Sequence, residues 1–408
     1  MFSRRAFLRT SLQTSTLVAL APTVPDFLAR TARAAAPTRD GRILVVVQLS
    51  GGNDGINTVV PFTDEGYAKN RKILRLPADR LHRITKEVGL NPAMADAAKL
   101  LDSGRLAIVQ GVGYPNPSRS HFKSMAIWHS ANVNLPKEDV VDAEIKAVYG
   151  WIGQSLDEGR KPADGSPAAQ FIGSGSMPVA LRSRRSVASA ITRLEDSILT
   201  LKTKPPLAPS ERGQDLAAFV QRSTLDAYAT SERMAAVLRA TDKGAKYPAT
   251  GLAGRLRVIA RLIKGGGGTR VFYTSQDGYD LHYTQLFPHA NLLSELSGAL
   301  KAFLDDLAAA KLAERVAVLC FSEFGRRVQE NGSQGTDHGT AGPVFVAGPA
   351  VKAGLICATP KLLDLQDGDL RMSVDFRRVY AAVLETWLEL PTKHALGGAF
   401  EPLPLFRT

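Results

Sequence analysis

Acidic side chains and histidines recur at the ends of strand-like runs in this chain of 408 residues. Asp54 follows the run Ile43–Leu49, and Ser118, Arg119, Ser120 and His121 follow Leu106–Gln110. Asp280 and His282 follow Thr269–Thr274, Glu323 follows Val316–Phe321, and Asp337 and His338 precede Val344–Ala347. Carboxylates and imidazoles are the donors a hard or borderline divalent cation takes. In an open parallel sheet, ligands bind outside the carboxyl ends of the strands, so residues from separate strand ends can meet there. The pattern predicts a centre for one or two divalent ions, with zinc or manganese favoured by the histidines and magnesium or calcium also compatible. Asp280 and His282 are alternate residues of an extended segment and so point the same way. Asp54 sits between glycines, where an aspartate also serves as a turn former.

Ser118 and Ser120 follow two prolines and open the helical stretch Phe122–His129. Either serine can be a helix N-cap. Either can also be a nucleophile, since free backbone N–H groups and the positive helix end stabilise a bound phosphate or a tetrahedral anion. Arg119 would add a fixed fork of donors for that anion. The chain has no Gly-x-Ser-x-Gly elbow, which argues against a metal-independent serine hydrolase.

The elements that must position these residues alternate. Ile43–Leu49 is a continuous aliphatic run of the kind buried on both faces of a parallel sheet. A helix near Ala93–Leu101 and a strand at Leu106–Gln110 follow. Residues 178–265 are polar and helical in character, without clear strand signals, and read as a helical insertion or cap over one sheet edge. Beyond Gly265–Gly268 come the strand Thr269–Thr274, an amphipathic helix over about His289–Lys311, the strands Val316–Phe321 and Val344–Ala347, and a helix over Asp375–Leu388. The order predicts an α/β domain over residues 37–408, a doubly wound, mostly parallel sheet flanked by helices.

Residues 1–36 have another character. Ser3-Arg4-Arg5-Ala6-Phe7-Leu8-Arg9 reads as a twin-arginine export signal, followed by a short apolar stretch and small residues suited to cleavage near Ala34 or Ala36. Pro22 and Pro25 argue against an uncleaved helix. The expectation is a soluble periplasmic protein whose partner during export is the twin-arginine (Tat) translocase. The formal charge of +12 becomes +8 once five arginines and one aspartate leave with the signal. The remaining cations are scattered, which disfavours a nucleic-acid partner, and no further run reaches membrane length. Cys320 and Cys357 each sit in an apolar run and read as small buried residues, with a disulfide as the alternative.

The segments Leu49–Thr58, Ser118–Phe122 and Ser322–Arg326, with Asp337-His338-Gly339, resemble the DUF1501 family of exported proteins across nearly the whole mature chain. That family is similar to the alkaline phosphatase-like superfamily of phosphatases, sulfatases and phosphoglycerate mutases built around two metals. The resemblance implies an alkaline phosphatase-like fold and a metal-dependent hydrolase or transferase acting on an anionic phosphate or sulfate ester, small or polymeric. It implies Asp54, Asp280, His282, Glu323 and His338 as metal ligands, Asp337 beside the last, and a nucleophile at Ser120, favoured by neighbouring His121, or at Ser118. Pro117-Ser118-Arg119 matches the end of the sulfatase Cys-x-Pro-Ser-Arg signature, but Pro115 stands where the modified cysteine would be, so a formylglycine enzyme is not expected. Glu323 replaces an Asp-His pair, and this departure sustains a second expectation, a non-catalytic periplasmic binding or assembly protein with a partial metal site.

Overall fold

The computed structural model describes residues 41–135, 148–159, 162, 164, 166–186, 188–192 and 245–407. The segment read as an export signal lies outside these residues, as do 187 and 193–244 of the segment read as an insertion.

An aliphatic run without polar alternation has to be covered on both sides, and Ile43–Ser50 (β1) is covered near the middle of a nine-stranded sheet. The other strands in chain order are β2 (Leu106–Gly113), β3 (Ala169–Ile172), β4 (Ala188–Ile191), β5 (Val271–Asp277), β6 (Val316–Phe321), β7 (Gly342–Ala347), β8 (Gly354–Ile356) and β9 (Val374–Asp375). They lie in the order β8-β2-β7-β6-β1-β5-β3-β4, with β9 also paired to β2. Every pairing is parallel except those of β7, which runs antiparallel to both β2 and β6. The start of β7 therefore lies at the edge where its parallel neighbours end, and the loop before it joins the loops after β1, β5 and β6.

Besides short helical turns at Gly55–Thr58 and Glu65–Asn70, the helices among the described residues are α1 (Ala95–Asp102), α2 (His121–Ser130), α3 (Trp151–Glu158), α4 (Gly251–Lys264), α5 (Leu286–Ala309) and α6 (Phe376–Ala381), the last continuing into a π turn at Ala382–Trp387. Successive β1 side chains point to opposite faces. Leu44 and Val46 pack with Trp128 of α2, Trp151 of α3 and Tyr380 of α6. Val45 and Val47 pack with Leu100 of α1, Leu256 of α4 and Leu300 of α5. Each fully buried aliphatic side chain contributes about 1.5–3 kcal/mol, so β1 needs both helical layers. Residues Arg42–Thr408 make one compact unit.

The described flanks of 178–265 correct the reading of that segment as an insertion. Ala188–Ile191 extends the main sheet as its edge strand β4, in parallel with β3. Leu252, Leu256, Ile259 and Ile263 form a buried stripe on α4 at helical spacing and belong to the core under the sheet. The polar residues around them mask that stripe when only average character is read. Cys320 is buried in β6, as its apolar run suggests, whereas Cys357 is exposed, and both are free. Among the described residues no helix is long and apolar enough to cross a membrane.

Candidate metal centre

The loops at the carboxyl edge of the sheet approach one another closely because glycines line them. A Cβ on Gly51, whose φ is +118°, would lie 2.4 Å from the Asp280 nitrogen. One on Gly335 would lie 2.1 Å from the His282 carbonyl carbon. Side chains here would force the loops after β1 and before β7 away from the loop after β5.

That approach gathers three imidazoles around one carboxylate. Asp280 Oδ1 is 3.0 Å from His282 Nε2, 3.2 Å from His338 Nε2 and 3.4 Å from His121 Nε2. Potential ligand atoms of His121, Asp280 and His338 all lie within 4.8 Å of one another, and this is the group of metal-ligand type among the described residues. His282 joins it, with its Nε2 3.0 Å from His338 Nε2.

The far nitrogen of each ring faces an acceptor. His121 Nδ1 is 2.8 Å from Glu323 Oε1, His282 Nδ1 is 3.2 Å from Asp337 Oδ1, and His338 Nδ1 is 2.7 Å from the Arg119 carbonyl oxygen. Carbonyls and carboxylates accept, so in His121 and His338, where the Nδ1 contact is the shorter one, the proton of a neutral ring belongs on Nδ1 and a lone pair on Nε2, whereas both nitrogens of His282 face carboxylates. Three Nε2 atoms and a carboxylate oxygen then face one another, and the buried His121 Nε2 has no hydrogen-bond partner among the described residues. A divalent cation reconciles such a set, and imidazoles held from behind by carboxylates or carbonyls are the usual arrangement of histidine ligands.

The same contacts set the charges. Burial alone would raise the Asp280 pKa, but the hydrogen bond and charge of Arg326 outweigh it and bring it to about 2. The hydrogen bond to Glu323 raises the pKa of His121. Burial lowers that of His338. The rings remain accessible, His282 being 39% exposed.

Arg326, which sequence reasoning assigned no role, ties the site together. Its buried guanidinium donates from Nη2 to Asp280 Oδ1 at 2.6 Å and to the Tyr279 carbonyl at 3.0 Å. Nε donates to the Gly52 carbonyl at 2.8 Å, Nη1 to the Thr336 carbonyl at 2.8 Å, and Nη2 also to the Gly51 carbonyl. One side chain thus links three loops. The signal for it in the sequence is an arginine between glycine-bounded loops, Phe324-Gly325-Arg326.

Several expected roles change. Asp54 was expected to bind metal, but it is 2% exposed and both its oxygens are engaged by Arg71, at 2.6 and 3.0 Å, with Gln285 Nε2 at 2.5 Å. It is half of a buried ion pair. Glu323 and Asp337 stand behind His121 and His282, each facing the ring's Nδ1 and not the cluster of Nε2 atoms, and Glu323 also accepts from Gly51 N and Ser322 Oγ. His121, expected beside a nucleophile, contributes its Nε2 to the cluster. Ser120 Oγ accepts from Lys123 N at 3.5 Å as the N-cap of α2, and Ser118 Oγ accepts from Ser120 N at 3.2 Å. Neither hydroxyl is bonded to Asp280 or the three histidines among the described residues. Arg119 directs its guanidinium to Asp369, at 2.9 and 2.5 Å, and not to the start of α2.

No curated protein matches the chain. Among solved structures it is similar to the C-terminal periplasmic domain of EcEptC from Escherichia coli in complex with Zn, at 8% identity and a TM-score of 0.42, covering 86% of this chain and 84% of that one. It is also similar to a protein in the alkaline phosphatase superfamily from Vibrio parahaemolyticus, at 10% identity and a TM-score of 0.36, covering 82% and 68%. A third is inactive murine ectonucleotide pyrophosphatase/phosphodiesterase 5 in complex with AMP, at 10% identity and a TM-score of 0.41, covering 86% and 96%. The model of a family described as a protein of unknown function, DUF1501, matches residues 42–388, from just before β1 to just past the π turn, and the chain belongs to that family.

Proposed function

We propose that this protein is an exported, divalent-metal-dependent hydrolase or transferase of a phosphate or sulfate ester. The observation that carries the reading is the convergence of three Nε2 atoms on Asp280, each ring facing an acceptor with its other nitrogen. The donor set, three imidazoles and a carboxylate, fits zinc or manganese best and describes one ion. When bound, the ion supplies Lewis-acid polarisation of an ester oxygen and neutralises developing negative charge. The chain's own groups prepare the place: Glu323, Asp337 and the Arg119 carbonyl fix the rings, and Arg326 keeps Asp280 ionised. Zinc or manganese content of the purified protein, with turnover of p-nitrophenyl phosphate and p-nitrophenyl sulfate, tests the reading. Turnover that disappears with the metal in Asp280→Ala/His282→Ala supports it, and protein that takes up no metal and turns over neither ester refutes it.

A second reading, a metal-binding periplasmic assembly or binding protein without catalysis, draws on the engagement of both serine hydroxyls by backbone N–H groups. Metal-loaded protein with no turnover of either ester would favour it. In both readings the twin-arginine segment directs the chain to the periplasm through the Tat translocase. Replacing Arg4 and Arg5 by lysine should leave the precursor in the cytoplasmic fraction, and unchanged export would contradict that address.

A further inference from the structure

Beside the histidines, two arginines share one buried carboxylate. Leu365–Gln366 pairs with Asp369–Leu370 as a short antiparallel hairpin, and both turn residues, Asp367 and Gly368, have positive φ, +53° and +83°. An Asp-Gly pair is what such a two-residue turn requires. A Cβ on Gly368 would lie 2.6 Å from Arg327 Nη2, so glycine also admits the guanidinium. Asp369, 1% exposed, accepts at Oδ2 from Arg119 Nε and Nη2, while its Oδ1 lies 3.4 Å from Arg327 Nε. The Asp367 carbonyl accepts from Arg327 Nη2 at 2.5 Å and from Arg119 Nη2 at 3.4 Å.

This cradle adjoins the metal centre. The Arg119 carbonyl holds His338, Arg327 N donates to the Asp337 carbonyl at 3.0 Å, and Thr340 Oγ1 fastens the hairpin by donating to the Leu370 carbonyl at 2.7 Å. Asp369 pairs with both guanidiniums, the exposed Asp337 carboxylate also attracts Arg327, and the donors left facing outward can meet a visiting anion. The two side chains are 45% and 36% exposed, and neither Nη1 has a hydrogen-bond partner among the described residues. Guanidiniums fixed in this way are suited to phosphate or sulfate oxygens.

We infer that Arg119 and Arg327 form an anion subsite preset by Asp369, and that the substrate carries a second phosphate or sulfate group next to the ester presented to the metal centre. The inference rests on the proposed ester chemistry, but its test reads the subsite alone. Purified protein is assayed for metal, then stripped with a chelator and titrated calorimetrically with inorganic pyrophosphate and with orthophosphate. The wild type should bind pyrophosphate more tightly than orthophosphate, and Arg119→Gln/Arg327→Gln should weaken pyrophosphate at least about tenfold and reduce its salt dependence. Adding Asp369→Asn removes the buried charge the double variant leaves unpaired, and it should show the same loss in a protein that keeps its wild-type melting. Pyrophosphate affinity unchanged in these variants overturns the subsite. A wild type that never held metal, yet loses pyrophosphate binding with the arginines, overturns the metal-dependent function and leaves the subsite standing.

Discussion

Replacing Glu323 by glutamine separates the charge behind His121 from the geometry that holds it. The carboxylate accepts from His121 Nδ1 at 2.8 Å, Gly51 N at 2.9 Å and Ser322 Oγ at 3.0 Å. A glutamine oxygen in place of Oε1 keeps the first two bonds. Its amide can donate to Ser322 Oγ, whose one proton, shared in the wild type between Glu323 and the Leu49 carbonyl 2.6 Å away, then turns to that carbonyl alone. What is lost is a negative charge on a side chain only 2% exposed, where solvent screens it little. Removing such a partner of a histidine ligand lowers metal affinity about 10- to 100-fold, or roughly 1.4–2.7 kcal/mol. The pH dependence has a definite sign. Glu323 raises the His121 pKa, so the variant's ring loses its proton more easily and competes less with the ion as pH falls. The deficit should therefore be largest near about pH 8 and shrink near about pH 6, measured by competition with a chromophoric zinc chelator. An affinity within about twofold of wild type at the higher pH, or a deficit that grows on acidification, would refute the placing of Glu323 behind a ligand.

Three further outcomes follow from the same contacts. Ser120→Ala should cost about 0.5–2 kcal/mol in urea unfolding through loss of the α2 cap and leave ester turnover within about threefold, whereas a loss of several orders of magnitude would make Ser120 the nucleophile. Arg71→Ala strands the Asp54 carboxylate in the interior and should cost about 3–5 kcal/mol in the same assay, and a cost under about 1 kcal/mol would deny the pair its structural role. Burial, aided by the charge of Arg182, pushes the His129 pKa down from 6.5 to about 3. Its stabilising contribution is therefore complete above the unfolded value and is lost as pH falls from there toward the folded one. The urea midpoint should drop between about pH 7.5 and pH 5, and drop less in His129→Gln; an equal drop would exclude His129 as the cause.

The sequence made the layers legible where one property dominates locally. The run Ile43–Leu49 has no amphipathic face, so its burial on both sides and a parallel setting follow from composition alone. Asp280 and His282 could be paired by strand geometry, and His338 stood out by its place beside Asp337 just before the strand-like run Val344–Ala347. The antiparallel course of β7 was not legible, because Val344–Ala347 would suit either direction and only its neighbours decide. Asp54 misled because its partner Arg71 reaches it through the fold, and a buried ion pair looks like a ligand when only one member is considered. Glu323 and His121 exchanged roles for a related reason. Residue type limits what can bind a cation, but which residue faces it and which stands behind is decided by loop approach, here set by Gly51 and Gly335. Arg326 carried no signal beyond its glycine neighbours, since an arginine bonded to carbonyls of three loops has no fixed spacing in sequence.

The central claim is that His121, Asp280, His282 and His338 hold a divalent ion. Its most direct measurement is elemental analysis of the purified protein after equilibration with zinc or manganese and gel filtration, beside His121→Ala/His338→Ala. About one ion per wild-type chain and none in the variant is the predicted result. A wild type that emerges without metal, or a variant that retains the full complement, would contradict it.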